Sequence, residues 1–309
     1  MDIMVLLDQM IILFLLMFLG FFLSKTGIMT DHFNKQLTKL ILDITTPCLI
    51  LSSVLDGSSS LTPAEIATAF LTALVLYLIL PLISRLITII IRAPKEQQGI
   101  YDFLGTYANI GYMGFPIIAS LFGSSALLYT AIFNIIFNLS AFSVGVLMIS
   151  RGSSHEATFS PKKLLSPGVL LSAVSIVIYL CGIHFPDPVT SAITSVGQLT
   201  TPLAMMMIGA TLATMNIREV LTEKRVYAYT LLRQVILPLL IWPLMKLVLH
   251  DELLLSVCFV LFIMPAGNIS VLFATNYNLD AKLAAKAVFV TTLLSIITVP
   301  LLLYFCMGA

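Results

Sequence analysis

Two asparagines, Asn109 and Asn268, sit inside apolar runs beside residues that interrupt helices. Asn109 precedes Gly111, Gly114 and Pro116, and Asn268 follows Pro265 and Gly267. An amide placed there has two uses: its NH2 donates to a carboxylate without adding charge, or it satisfies backbone that a helix break leaves unbonded. Asp43, four residues before Pro47, puts a carboxyl deep in another apolar run. Unless paired, a carboxyl at that depth is expected to hold a proton, so it either couples proton movement or caps backbone freed by Pro47 and faces a neighbouring helix. Gln198 stands four residues before Pro202, in the matching place, where the carboxyl is absent. Arg233, about ten residues into a further run, either attracts an anion or binds carbonyls at a break. Asp102 and Lys286 lie about one turn inside their runs and are expected to pair, with substrate binding by Lys286 as the alternative. Arg85 is seven residues from Arg92 and is expected to snorkel. Asn134 and Asn138, one turn apart, share a face that glues helices together or lines a path.

Other chemistries find no constellation. Cys48, Cys181, Cys258 and Cys306 lie singly, without the close pairing of zinc or redox sites, and read as packing residues. His32, His155, His184 and His250 are equally scattered, and no hydrolase, metalloprotease or nucleotide-binding motif appears. The methionines, including Met205, Met206 and Met207, read as adaptable packing rather than a metal path. No metal or cofactor is called for. With sixteen Lys and Arg against fifteen Asp and Glu, the net charge is near +1, which excludes a nucleic-acid partner.

The elements that must position these residues are membrane spans. Of 309 residues, 59% are hydrophobic and 10% charged, outside the range of soluble domains. At about 22 residues per span the chain holds ten spans and leaves only about 90 residues for loops. The spans fall at about 5 to 24, 33 to 55, 63 to 92, 97 to 122, 125 to 150, 165 to 184, 188 to 215, 224 to 249, 253 to 276 and 280 to 307. The first run follows Asp2 and contains Asp8, and it reads as an uncleaved span. Thr62-Pro63-Ala64-Glu65 predicts a capping box with proline at the first helical position, and Ser160-Pro161 a similar start. Links after odd-numbered spans hold Lys25 and Lys35, Arg92 and Lys95, Arg151, Lys162 and Lys163, Arg218, Lys224 and Arg225, and Lys282. Links after even-numbered spans hold none, so the positive-inside rule places both termini outside. Lys246 is the nearest exception and can snorkel.

The chain also echoes itself. Thr45-Thr46-Pro47 recurs as Thr200-Thr201-Pro202, Ile79-Leu80-Pro81 as Ile236-Leu237-Pro238, and Asn109-Ile110-Gly111 as Asn268-Ile269-Ser270, at separations of 155, 157 and 159. Three echoes in order point to a repeat: spans one to five in residues 1–150, a cytoplasmic link at 151–164, and spans six to ten in 165–309. Five is odd, so the repeats run in opposite directions, a pattern found in secondary transporters. Spans four and nine are the broken ones: Gly105, Gly111, Gly114 and Pro116 interrupt one, Pro265 and Gly267 the other. Pro116 suits the first position of a half-helix whose N-terminus faces an anion.

Ala108-Asn109-Ile110-Gly111-Tyr112-Met113-Gly114-Phe115-Pro116 looks like Pro-Asn-Thr-Leu-Val-Met-Gly-Ile-Pro of plant carriers, Met264-Pro265-Ala266-Gly267 looks like Leu-Pro-Gln-Gly, and Asn276-Tyr277-Asn278 also matches. On these segments the chain resembles the auxin efflux carrier family, which includes plant PIN-type carriers and bacterial malate or malonate permeases. The resemblance implies broken helices crossing at their prolines, a transport domain of spans three to five and eight to ten, a scaffold of the other four, elevator-like movement and a homodimer. The plant carriers' long central loop has no counterpart here, and plant Ile stands where this chain has Asn268.

The expected function is a non-enzymatic secondary transporter of a small organic anion, a mono- or dicarboxylate, in a plasma (inner) membrane, with proton coupling as an added possibility. The alternatives are a sodium- or proton-coupled carrier of another solute class, or a ligand-binding membrane sensor or channel. Asn109 and Asn268 in place of ionisable carboxylates count against cation exchange.

Overall fold

The computed structural model describes residues 3–55, 61–149, 167–183, 185–214, 223–277 and 279–308. Arg151, Ser160, Pro161, Lys162, Lys163, Arg218, Asn278, His155, His184 and the link at 151–164 lie outside the described residues. Among the described residues the chain is helical, and its only strand-like feature is a bridge between Ala108 and Ala266.

Among the described residues, helices fall within each expected interval. In chain order they are α1 Ile3–Lys25, α2 Asp31–Leu40, α3 Thr46–Leu55, α4 Pro63–Ile90, α5 Lys95–Thr106, α6 Phe115–Phe122, α7 Leu127–Ser140 and α8 Val146–Ile149. Then follow α9 Pro167–Cys181, α10 Asp187–Gln198, α11 Thr200–Thr214, α12 Lys224–Leu231, α13 Leu237–Val248, α14 Glu252–Ile263, α15 Ile269–Asn276 and α16 Ala281–Met307. Wide π-turns at Ile41–Thr45, Ala141–Gly145 and Leu232–Ile236 join neighbouring helices, and one at Ile110–Gly114 leads into α6. Among the described residues, five continuous stretches are long and apolar enough to cross a bilayer: Pro63–Ile90, Ser124–Ile149, Asp187–Thr214, Lys224–Val248 and Ala281–Met307. Ile11–Lys25, Ile110–Phe122 and Glu252–Ile263 are shorter apolar helices.

Local chemistry explains the start of α4. The Thr62 amide donates to Glu65 Oε2 at 2.6 Å and the Glu65 amide to Thr62 Oγ1 at 3.3 Å, closing the capping box ahead of Pro63. Along α4, Leu71, Leu74, Leu78, Leu82, Leu86 and Ile89 are exposed, reaching 72% at Leu82, while Ala69, Ala73, Tyr77, Leu80, Ser84 and Ile87 are buried. An apolar stripe of that size against water would be a liability; against hydrocarbon it is the expected outer face.

The helices form two compact units. Unit 1 comprises Met1–Leu71, Ile110–Ile135 and Leu164–Met215, and unit 2 comprises Thr72–Asn109, Ile136–Lys163 and Asn216–Ala309. Within unit 1, α1 lies along α11 and α9 along α3. The first pair touches backbone to backbone: a Cβ on Gly20 would land on the Met206 carbonyl, and one on Gly209 on the Met17 carbonyl. Small residues permit such close approach in lipid, where packing rather than water expulsion holds helices together. Unit 2 has an aromatic centre, with Tyr107 stacked on Tyr77 at 6.2 Å and edge-on to Phe137 at 5.6 Å.

Candidate functional site

The two broken helices meet within unit 2. Pro265 lacks an N–H and biases the residue before it toward extended backbone, and α14 accordingly ends at Ile263 with Met264 extended at φ −60°, ψ 147°. Helix α5 ends at Thr106, and Tyr107 is extended at φ −108°, ψ 95°. The two unwound segments then bond as a minimal antiparallel pair. The Asn109 amide donates to the Pro265 carbonyl at 2.8 Å, and the Gly267 amide to the Tyr107 carbonyl at 3.0 Å. Unpaired backbone is not tolerated in lipid, so each break satisfies the other. A Cβ at Gly267 would stand 3.0 Å from the Ala108 carbonyl oxygen, tighter than ordinary contact, so glycine suits this close approach.

Three buried polar residues brace this crossing. Arg233, in the π-turn Leu232–Ile236, donates from Nε to the Gly105 carbonyl at 2.8 Å and from a terminal nitrogen to the Phe262 carbonyl at 2.9 Å. Those carbonyls belong to the last turns of α5 and α14, where helix C-termini leave acceptors without partners and a partial negative charge. Of the two roles open to Arg233, carbonyl binding at the breaks is the one observed. Thr291 Oγ1 accepts from the Ala266 amide at 3.2 Å, and Gln234 Nε2 donates to the Thr291 carbonyl at 2.9 Å. Sequence reading missed Thr291 and Gln234, because a lone polar residue in an apolar run gives no sign of its partner.

Asn109 is buried at the crossing, and Asn268 is half-buried and makes no side-chain hydrogen bond among the described residues. Ser270, in the first turn of α15, is fully buried, and its hydroxyl has no hydrogen-bond partner among the described residues. It is a further polar group that the sequence reading used only as part of a repeat.

Gly111, Gly114 and Pro116 fall elsewhere than expected. The unwound stretch is Tyr107–Asn109, Gly105 lies inside α5, Gly111 and Gly114 belong to the π-turn Ile110–Gly114, and Pro116 is the second residue of α6. The helix after the break therefore begins its turns at Ile110 rather than at Pro116, and the crossing pairs Ala108 with Ala266, beside Pro265 and away from Pro116. Glycine within a helix costs only about 1 kcal/mol, so the pairing with Met264–Gly267 decides where the chain unwinds.

The expected pairing of Asp102 with Lys286 also gives way to other partners. Asp102 is fully buried and pairs with Arg85 at 3.2 Å, and Lys286 pairs with Glu223 at 3.4 Å. Asp102 belongs to the face of α5 that packs on α4, where Ser84 Oγ donates to the Asp102 carbonyl at 2.7 Å. Arg85 is held by this contact instead of merely snorkelling.

In unit 1, Asp43 occupies the π-turn Ile41–Thr45 and is exposed, as is Gln198 at the end of α10. Asn134 is buried and Asn138 half-buried, one turn apart on α7. The four cysteines are free.

Comparison with known proteins agrees with this architecture. Residues 5–303 match the family described as membrane transport protein. An uncharacterized transporter of Methanocaldococcus jannaschii is 22% identical, over 95% of this chain and 96% of the relative. An uncharacterized transporter of Methanothermobacter thermautotrophicus is 22% identical over 93% of each chain. A Rhizobium meliloti protein named "Putative malonate transporter" is 24% identical over 94% of this chain and 92% of its own. With its long apolar helices and a match that spans nearly its whole length, the chain is an integral membrane transporter of the membrane transport protein family, the auxin efflux carrier family whose motifs it carries.

Proposed function

We propose that this transporter is a secondary carrier of a small organic anion, a mono- or dicarboxylate such as malate or malonate, working by elevator-type alternating access. The observation that carries the reading is the crossing itself. Two interrupted helices bond to each other at Ala108 and Ala266, and beside that bond the Asn268 amide and Ser270 hydroxyl have donors to spare at the start of α15. A half-helix N-terminus with uncommitted donors suits a carboxylate. The name of the Rhizobium meliloti relative supports the same substrate class.

On this reading ten spans form two inverted repeats, residues 1–150 and 165–309, with both termini outside in a plasma (inner) membrane and two copies in a homodimer. The packing of unit 1 supports the repeat. The first echo carries α1 onto α9 and α3 onto α11, so the pairs α1–α11 and α9–α3 exchange under one two-fold operation. Substrate contact is assigned to Asn109, Gly111, Gly114, Pro116, Pro265, Gly267 and Asn268, and proton coupling, if present, to Asp43.

The experiment is a thermal-shift screen of the purified protein against small carboxylates, followed by counterflow of any hit in liposomes. A ligand that binds only the folded state raises its melting temperature. Stabilisation by malate, malonate or a relative together with saturable counterflow is the expected result. A response to sodium or to an uncharged solute alone would replace the reading by a cation-coupled carrier, and binding without counterflow by a sensor or channel.

A further inference from the structure

Arg233 is a buried cation with no anionic partner among the described residues. It is 5% exposed, its two hydrogen-bond acceptors are neutral carbonyls, and its guanidinium lies 4.6 Å from the centre of the Phe262 ring. No carboxylate among the described residues pairs with it; Asp102 is engaged by Arg85 and Glu223 by Lys286. A lone buried charge is strongly disfavoured unless something nearby compensates it.

The compensation is supplied by helix ends. Gly105 and Phe262 each stand next to last in their helices, α5 and α14. Each C-terminus carries roughly half a negative charge, so the two together offset one guanidinium. The two helix starts that follow the breaks, at Ile110 and Ile269, each keep a partial positive charge, and beside the second lie the buried Ser270 hydroxyl and the Asn268 amide, neither hydrogen-bonded through its side chain among the described residues. Without Arg233 the two negative ends would cancel the two positive starts, at Ile110 and Ile269, and leave no surplus to draw an anion. With it, the break has a modest positive surplus that a single carboxylate fulfils, and a second full charge would find no cation.

We infer that Arg233 sets the charge of the crossing and makes it selective for ligands with one negative charge, a monocarboxylate or the singly ionised form of a diacid; the inference rests on the organic-anion reading above. Arg233 is a positioning and specificity residue here, acting through helix ends rather than by touching the ligand.

The test uses full-length protein in detergent and measures binding of malonate, its half-amide and its diamide. Near neutral pH the half-amide, a monoanion, is expected to bind about tenfold more tightly than the dianion, with no binding of the neutral diamide. Lowering the pH should tighten malonate as it gains a proton and leave the half-amide unchanged. Arg233→Gln should weaken the half-amide by about tenfold or more, and Arg233→Lys, which keeps the charge, should retain the preference for one charge over two. If neither variant folds, Gln234→Glu adds a carboxyl beside an intact Arg233 and should weaken the half-amide by a similar factor. Half-amide binding within about twofold of wild type in Arg233→Gln or Gln234→Glu, or tighter binding of the dianion by wild type, would overturn the inference and leave the carrier reading intact. Failure of wild type to bind any carboxylate would remove the carrier reading, and this inference with it.

Discussion

The π-turns at Ile41–Thr45 in unit 1 and Leu232–Ile236 in unit 2 are alike in backbone and opposite in consequence. Each ends two residues before a proline, Pro47 in one and Pro238 in the other, and the π-turn Ile110–Gly114 stands in the same relation to Pro116. Proline has no N–H, and its ring clashes with the carbonyl four residues back. The chain answers by widening the preceding turn, so that the Thr46 amide reaches back five residues to Ile41 and the Leu237 amide five residues to Leu232. One turn presents Asp43 on an exposed face, and the other buries Arg233 against the ends of two helices. The two turns share a backbone, and tertiary packing decides what the polar residue of each does.

The contrast can be broken most forcefully at Arg233. Arg233→Ala leaves the Gly105 and Phe262 carbonyls buried without donors, and the protein is expected to lose about 3 kcal/mol of stability, read as a lower melting temperature. A wild-type melt would make the buried turn as dispensable as the exposed one. Gly267→Val forces a side chain against the Ala108 carbonyl, for an expected cost of about 1–3 kcal/mol and loss of ligand binding, measured by melting and by titration. Asn109→Ala sharpens the comparison at the crossing: carboxylate binding should weaken about tenfold while expression and melting hold. Loss of folding along with binding would mark the amide as backbone support. The smallest effect on stability is expected at exposed Asp43, where Asp43→Asn should change it by no more than about 0.5 kcal/mol. If Asp43 carries the coupling proton, the same variant should abolish uptake driven by a proton gradient and spare substrate exchange. An unaltered response to the gradient would end that assignment.

Features written into contiguous residues were legible in advance. The capping box at Thr62 and Glu65, the interruption at Pro265 and the intervals occupied by helices all follow from short-range chemistry. Features that depend on which side of a helix meets its neighbour were not. Asp102 lies on the face of α5 that meets Ser84 and Arg85, a rotation about the helix axis that an almost uniformly apolar run does not encode. The break near Asn109 was expected at glycines and a proline, whereas Tyr107–Asn109 unwinds because a distant segment offers it hydrogen bonds. Ser270 and Thr291 drew little notice as single hydroxyls, although one has a buried hydroxyl to spare and the other holds the Ala266 amide.

The pair of peptide hydrogen bonds joining Tyr107 and Asn109 to Gly267 and Pro265 acts as a rivet. One bond faces each way along the crossing, so rotating either segment about its own axis strains both at once. The amide protons of Asn109 and Gly267 should accordingly exchange with deuterium together, in a single opening event rather than one after the other.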